Sequence, residues 1–317
     1  MPAYARRQAI CFGRALVMPN TLPPIESGAQ VSAYRQELAA AAGALFEPLM
    51  SFKLLPGMRA RTVHDCAAAG ALAGKYYPAG ATTNAQDGLG DPSQADEALC
   101  AMEEAGLVLC IHAEEPSAPI LEREEAFIPV LDRILCAHPR LRMVIEHVSS
   151  AALLGFVLAT PARVAATVTA HHLLLTLDDL LGEGMDPHLY CKPLLKPARD
   201  RDALQSAVLR GEAKLFFGSD SAPHPRAAKE GKRAASGIYS SPTALPALAG
   251  LFDAGKALGR LEAFVSRRGA AFYGLGPSRG SLLLERGEWT VPDEVDGIVP
   301  LLAGKKLAWK ASRHDDH

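Results

Sequence analysis

The chain has 317 residues, 49% of them hydrophobic, enough apolar material for one large core or two smaller ones. With 33 basic and 35 acidic residues the formal net charge is -2, which excludes the electrostatic footprint of a nucleic-acid binder or an anionic-membrane binder and points to a small-molecule partner. No apolar stretch is long enough to span a bilayer and residues 1–7 lack the apolar core of a signal peptide, so the expected address is the cytoplasm.

In chain order, Ala15 to Met18 predict a short buried strand that enters a loop at Pro19 and Asn20. Val31, Tyr34, Leu38, Ala41 and Leu45 recur at helical spacing, with Gly43 at the fraying end. A second strand is predicted over 49–55. The third runs into Lys75, which follows the small apolar residues 67–74 and precedes the turn formers Pro78 and Gly80. An ammonium in such a place is costly unless paired or neutralised. A neutral buried lysine is a nucleophile, and carbon dioxide converts it to a carbamate able to bridge two metal ions.

Ser93 to Asp96 read as a capping box that opens a helix closed by Gly106. Leu107 to Ile111 form a continuous apolar strand that ends in His112-Ala113-Glu114. A helical pattern over 120–137 leads to a strand over 141–145 that ends in Glu146-His147. The strand over 164–169 ends in His171-His172, and the strand over 214–217 ends in Gly218-Ser219-Asp220. Strands alternating with helices predict a parallel sheet. Asn20, Lys75, His112, His147, His171 or His172, and Asp220 are each placed just past the C-terminal end of a strand. That is where a (β/α)8 TIM barrel gathers its chemistry, whereas a doubly wound sheet uses one switch point. Imidazoles with a carboxylate suit zinc or a similar divalent ion, and a carbamate on Lys75 adds an oxygen ligand.

Val17-Met18-Pro19-Asn20, the run from Lys75 to Asn84, Ile111-His112-Ala113-Glu114, Glu146-His147-Val148, and the run from Gly218 to His224 together resemble the dihydroorotases of the shorter, bacterial, single-function type. The resemblance covers nearly the whole chain, including Phe272-Tyr273-Gly274-Leu275 and Val299 to Gly304. It implies a zinc amidohydrolase on a TIM barrel, homodimeric, that interconverts N-carbamoyl-L-aspartate and dihydroorotate in pyrimidine synthesis. On this basis Lys75 corresponds to a carboxylated lysine bridging two zinc ions, and His112 and His147 to ligands of the second ion. Asp220 corresponds to the metal-bound general base. Asn20, His112 and His224 correspond to substrate-binding positions, Lys192 and Ser236 to backbone contacts with the ring, and Thr82 and Thr83 to a mobile loop. The expected layout is one domain over 1–317 with a C-terminal extension from about residue 276.

One feature of the family is missing: no His-x-His-x-Arg motif, expected on the first barrel strand, occurs in the sequence. The residues predict about seven strands where closure wants eight. Two expectations follow, a shortened or wrongly started copy of an active enzyme, favoured here, or a non-catalytic homologue with a structural role. A related cyclic amidase, a hydantoinase or dihydropyrimidinase, is the further alternative. The six scattered cysteines, without a CxxC pair, are expected reduced and buried. His171 and His172 are expected to orient a neighbouring ligand at most, residues 229–233 to form a solvated loop at the pocket rim, and the tail 314–317 to be disordered.

Overall fold

Strands whose every residue is apolar need cover on both faces, which alternating helices supply. A computed structural model describes residues 2–43, 46–82, 84–278 and 280–314. Leu45, Thr83 and the tail residues Asp315, Asp316 and His317 lie outside the described residues. The chain forms two compact units, Met1–Glu146 with Gly155–Ala166, and His147–Leu154 with Thr167–His317.

The first unit alternates α1 (Pro2–Cys11), β1 (Arg14–Val17), α2 (Gly28–Ala42), β2 (Glu47–Lys53), α3 (Ala60–Ala68), β3 (Ala71–Tyr76), α4 (Asp96–Glu104), β4 (Val108–Ile111), α5 (Arg123–Ala137) and β5 (Arg142–Ile145). Helix α6 (Ala151–Ala159) and strand β6 (Val164–Val168) contribute residues to both units. All four residues of β4 are buried, as its unbroken apolar run requires, and all five of β6 are buried with Thr167 the one polar residue among them. The parallel register sets Lys53 of β2 opposite Lys75 of β3, and Lys75 opposite Cys110 of β4. These three side chains therefore share one face of the sheet.

The second unit holds α7 (Ala170–Leu174), α8 (Leu177–Leu181), α9 (Ala198–Arg210), β7 (Leu215–Phe217), α10 (Arg226–Lys229), α11 (Ala244–Ala254), α12 (Arg268–Phe272) and an antiparallel hairpin of β8 (Ser281–Thr290) and β9 (Lys306–His314). The hairpin lies in the stretch that follows residue 276. Strands β1 to β7 lie in chain order in one sheet, with β1 to β6 paired in parallel, the arrangement of a (β/α)8 fold.

Three local expectations need correction. Lys75 lies inside β3, one residue before its end, while Ala67 and Ala68 belong to α3. The capping box is set by Asp91, not Ser93: its carboxylate accepts from Ser93 N–H at 3.0 Å while Gln94 Oε1 accepts from Asp91 N–H at 3.2 Å, with Pro92 opening the turn before α4. Cys100 and Cys136 are exposed because they fall on the outward faces of α4 and α5. No helix among the described residues is long and apolar enough to cross a membrane.

Two glycines on helices meet opposite surroundings. A Cβ on Gly28, in the first turn of α2, would sit 2.5 Å from the Asp65 carbonyl oxygen of α3, whereas one on Gly155 of α6 meets nothing within 4 Å. Gly28→Ala is therefore expected to destabilise by about 1–3 kcal/mol and Gly155→Ala to stabilise by up to about 1 kcal/mol. Urea denaturation of the two variants checks the opposite signs.

Candidate metal and substrate site

In the first unit, burial of Lys75 is nearly complete at 2% exposure. Among the described residues its ammonium meets the face of Tyr77, 5.3 Å from the ring centroid, and no hydrogen bond to it is formed. Its neighbour Lys53 is equally buried, yet donates to Asn84 O at 2.8 Å and pairs with the Asp87 carboxylate. Asn84 in turn donates its amide to Asn20 O at 3.1 Å, so Asn20 is fixed through the loop that Lys53 anchors. Thr82 is half-buried within a bend of that loop.

His112 follows β4 directly, and its backbone N–H donates to Tyr76 O at 3.1 Å. Its Nε2 lies 2.7 Å from Glu114 Oε2, and both side chains are buried. This carboxylate–histidine contact fixes the orientation of the ring, the kind of pairing that metal-binding imidazoles use. The sequence motif contains Glu114 without disclosing this contact. Its signal is the i, i+2 spacing that returns a carboxylate to the histidine.

In the second unit, His147 and Asp220 both adopt left-handed backbone conformations, with φ of 45° and 39°. Such conformations cost non-glycine residues on the order of 1–3 kcal/mol each and gather at functional sites. His147 is held there by its N–H, which donates to Thr167 Oγ1 at 2.7 Å. Gly218, which opens the loop to Asp220, packs on the same threonine: a Cβ would stand 2.7 Å from Thr167 Cβ. Thr167 thus sets the path of both segments.

Beyond Asp220, Ala222 N–H donates to Ile238 O at 3.0 Å and Ser240 Oγ to Ser219 O at 2.7 Å, which laces residues 219–224 onto residues 236–240. His224 Nε2 donates to Ser236 O at 3.1 Å. Burial lowers the His224 pKa below the ordinary histidine value, opposed by the Ser236 bond and reinforced by the Lys229 charge, so the ring is neutral at neutral pH. Lys229, expected in a solvated loop, is buried at the end of α10. Its ammonium donates to Tyr190 O at 2.9 Å, Ala235 O at 3.0 Å and Gly237 O at 2.6 Å. Three carbonyls satisfy its three donors, which explains the burial. Lys192 and Ser236, both half-buried, sit on the two segments that Lys229 clamps. His171 and His172 lie buried on α7.

No protein-family model matches the chain. A dihydroorotase from Alkalilimnicola ehrlichii is 44% identical over 312 residues, 95% of this chain and 91% of that protein. The chain belongs to the dihydroorotase family. The crystal structure of a dihydroorotase family member from Saccharomyces cerevisiae, in complex with 5-fluoroorotic acid, superposes with a TM-score of 0.93 at 33% identity, covering 100% of this chain and 94% of that one. An L-hydantoinase from Arthrobacter aurescens superposes with a TM-score of 0.81 at 18% identity over 98% of this chain and 76% of its own, a likeness of fold alone.

Two consequences of the geometry are measurable. Thr167→Val removes the acceptor of the His147 N–H at nearly constant volume, and an unpaired buried N–H costs about 1–3 kcal/mol. The variant is expected to lose about that much stability, read by urea denaturation. Burial lowers the Lys229 pKa from 10.5 to about 8, with the Cys191 and Asp186 charges opposing. Above that pH a neutral amine offers two donors to three carbonyls, so KM is expected to rise as pH passes about 8. Lys229→Met should show a high KM at all pH values and lose this limb.

Proposed function

We propose that the chain carries out the reversible cyclisation of N-carbamoyl-L-aspartate to (S)-dihydroorotate, with zinc held by Lys75, His112, His147 and Asp220. Membership of the dihydroorotase family supports the reaction, and the observation that carries the ligand set is Lys75: a buried ammonium met by an aromatic face fits a lysine that is carboxylated in the loaded enzyme. The donor set suits zinc by chemistry, with two imidazoles, a carboxylate and a carbamate. Bound zinc supplies Lewis acidity, lowering the pKa of the attacking water and polarising the amide carbonyl.

The residues of the chain then divide the work. In the ring-opening direction Asp220 takes the proton from the attacking water and returns it to the leaving ring nitrogen, and in cyclisation it takes the proton from the attacking nitrogen and gives it to the departing water oxygen. Glu114 fixes the orientation of the His112 ring. Asn20 and His224 hold the carboxylate side of the substrate, and the main chain at Lys192 and Ser236 receives the ring. The 5-fluoroorotic acid bound by the yeast relative is a planar ring of the same class, which supports this assignment. Thr82, on the bend of the loop that Lys53 anchors, covers the bound substrate. A cytoplasmic homodimer is the proposed setting, checked for oligomeric state by analytical ultracentrifugation.

Asp220→Asn is expected to keep the fold and most metal and to lose roughly a hundredfold to ten-thousandfold in rate, the usual worth of a general base. Lys75→Ala should lose metal and activity together, with partial rescue by short carboxylic acids that replace the carbamate oxygens. Unchanged metal content in that variant would rule out the bridging role. Turnover of dihydropyrimidines without turnover of dihydroorotate would shift the assignment to a hydantoinase-type amidase.

Of the residues named, Lys75, His112 and His147 would hold one ion, whereas Lys75 and Asp220 would be left for a second, fewer protein ligands than catalytic zinc usually has. The chain is therefore expected to hold about one zinc tightly and to turn over slowly. Elemental analysis beside a hydrolysis assay checks this, and two tightly held zincs with a full rate would show that other residues complete the second ion's shell.

A further inference from the structure

Thr169 caps α7 by accepting from His172 N–H, and the helix carries two adjacent histidines into the interior. His171 is 0% exposed, and among the described residues neither of its ring nitrogens has a hydrogen-bond partner. A buried polar group without a partner costs about 1–3 kcal/mol and calls for a reason.

The surroundings of His171 supply one. His172 Nδ1 lies 2.9 Å from Thr169 Oγ1, and its Nε2 donates to Pro193 O at 3.0 Å. Cys191 Sγ donates to the same carbonyl at 3.2 Å and stands 4.0 Å from His172 Nε2. One donor atom from each of His171, His172 and Cys191 falls within 4.8 Å of the others, and all three side chains are buried. Two hydrogens thus converge on one oxygen beside an imidazole whose nitrogens bond nothing among the described residues.

We propose that His171, His172 and Cys191 form a separate binding site for a zinc-class divalent cation, with the Pro193 carbonyl oxygen as fourth ligand. Zinc bonds of about 2.0–2.3 Å in a tetrahedron place ligand atoms roughly 3.3–3.6 Å apart. The observed separations of 3.0, 3.2 and 4.0 Å bracket that range, so modest shifts of side chain complete the shell. Binding takes one proton off the Cys191 thiol to solvent. It moves the His172 proton from Nε2 to Nδ1, where Thr169 Oγ1 accepts it. The Cys191–Pro193 segment is thereby tied to α7, and Lys192 with it. This site stands independently of the proposed reaction.

The test uses the full chain loaded with zinc chloride and, separately, cobalt(II) chloride. X-ray absorption at the zinc edge is expected to show a sulfur shell near about 2.3 Å. The cobalt protein is expected to show a thiolate charge-transfer band that disappears in Cys191→Ser and persists in Cys100→Ser. Absence of sulfur around zinc, or a cobalt band unchanged in Cys191→Ser, overturns the proposal. Where Cys191→Ser does not fold, His171→Leu decides: the affinity behind the cobalt band must fall at least tenfold, and an unchanged affinity overturns the site.

Discussion

Two lysines lie side by side on adjacent parallel strands, both removed from water, and the surrounding loops are arranged by how each charge is met. Lys53 and Lys75 are register partners on β2 and β3, so their stems leave the same face of the sheet. Two ammonium groups buried this way repel, and each is costly alone. Lys53 is answered by a carboxylate and a carbonyl from residues 84–87, and that answer fixes the loop which also holds Asn20. Lys75 is answered by the Tyr77 ring, a contact worth about 2 kcal/mol even when desolvated. The asymmetry sets Lys75 apart from Lys53 as the buried lysine whose ammonium meets a ring and no oxygen among the described residues.

The same economy of support recurs in the second unit, where two segments adopt left-handed conformations for His147 and Asp220. Strain of that kind persists only when neighbours over-determine it. Thr167 does so from one position: its hydroxyl receives the His147 N–H, and its methyl and Cβ fill the space that Gly218 leaves open. A larger residue at 218 would push against Thr167 and displace His147 by the same movement. The glycine at the end of β7 is thus explained by close approach, since its own φ is unremarkable.

Much of this was legible in the sequence because apolar runs and the polar residues that stop them are local signals. His112, His147 and Asp220 follow β4, β5 and β7 as the runs predict, and the C-terminal position of Gly43 on α2 is confirmed by its φ of 78°. The supporting residues were not legible. Lys53 reads as one charge in an apolar run, Thr167 as one more β-branched strand residue, and Lys229 as part of a basic surface loop. Their roles depend on partners 20 to 39 positions away or on several main-chain carbonyls at once, and carbonyls leave no trace in residue identity. The capping box was misplaced by two residues for a related reason: Ser93 and Asp91 are both good caps, and only the backbone shows which one is extended.

Lys229 shows where that blind spot matters for chemistry. Its ammonium gathers carbonyls from Tyr190, Ala235 and Gly237, and the two segments it joins are the ones assigned to receive the substrate ring through their main chain. A ring read by backbone atoms is indifferent to the side chains at 192 and 236 but sensitive to where the backbone runs. The position of the backbone is set here by one buried charge with three donors. On that reading, recognition on this side of the site resides in a residue that need never touch the substrate. His224 extends the same logic: its Nε2–H is committed to the Ser236 carbonyl, so the clamp that places Ser236 also orients the histidine.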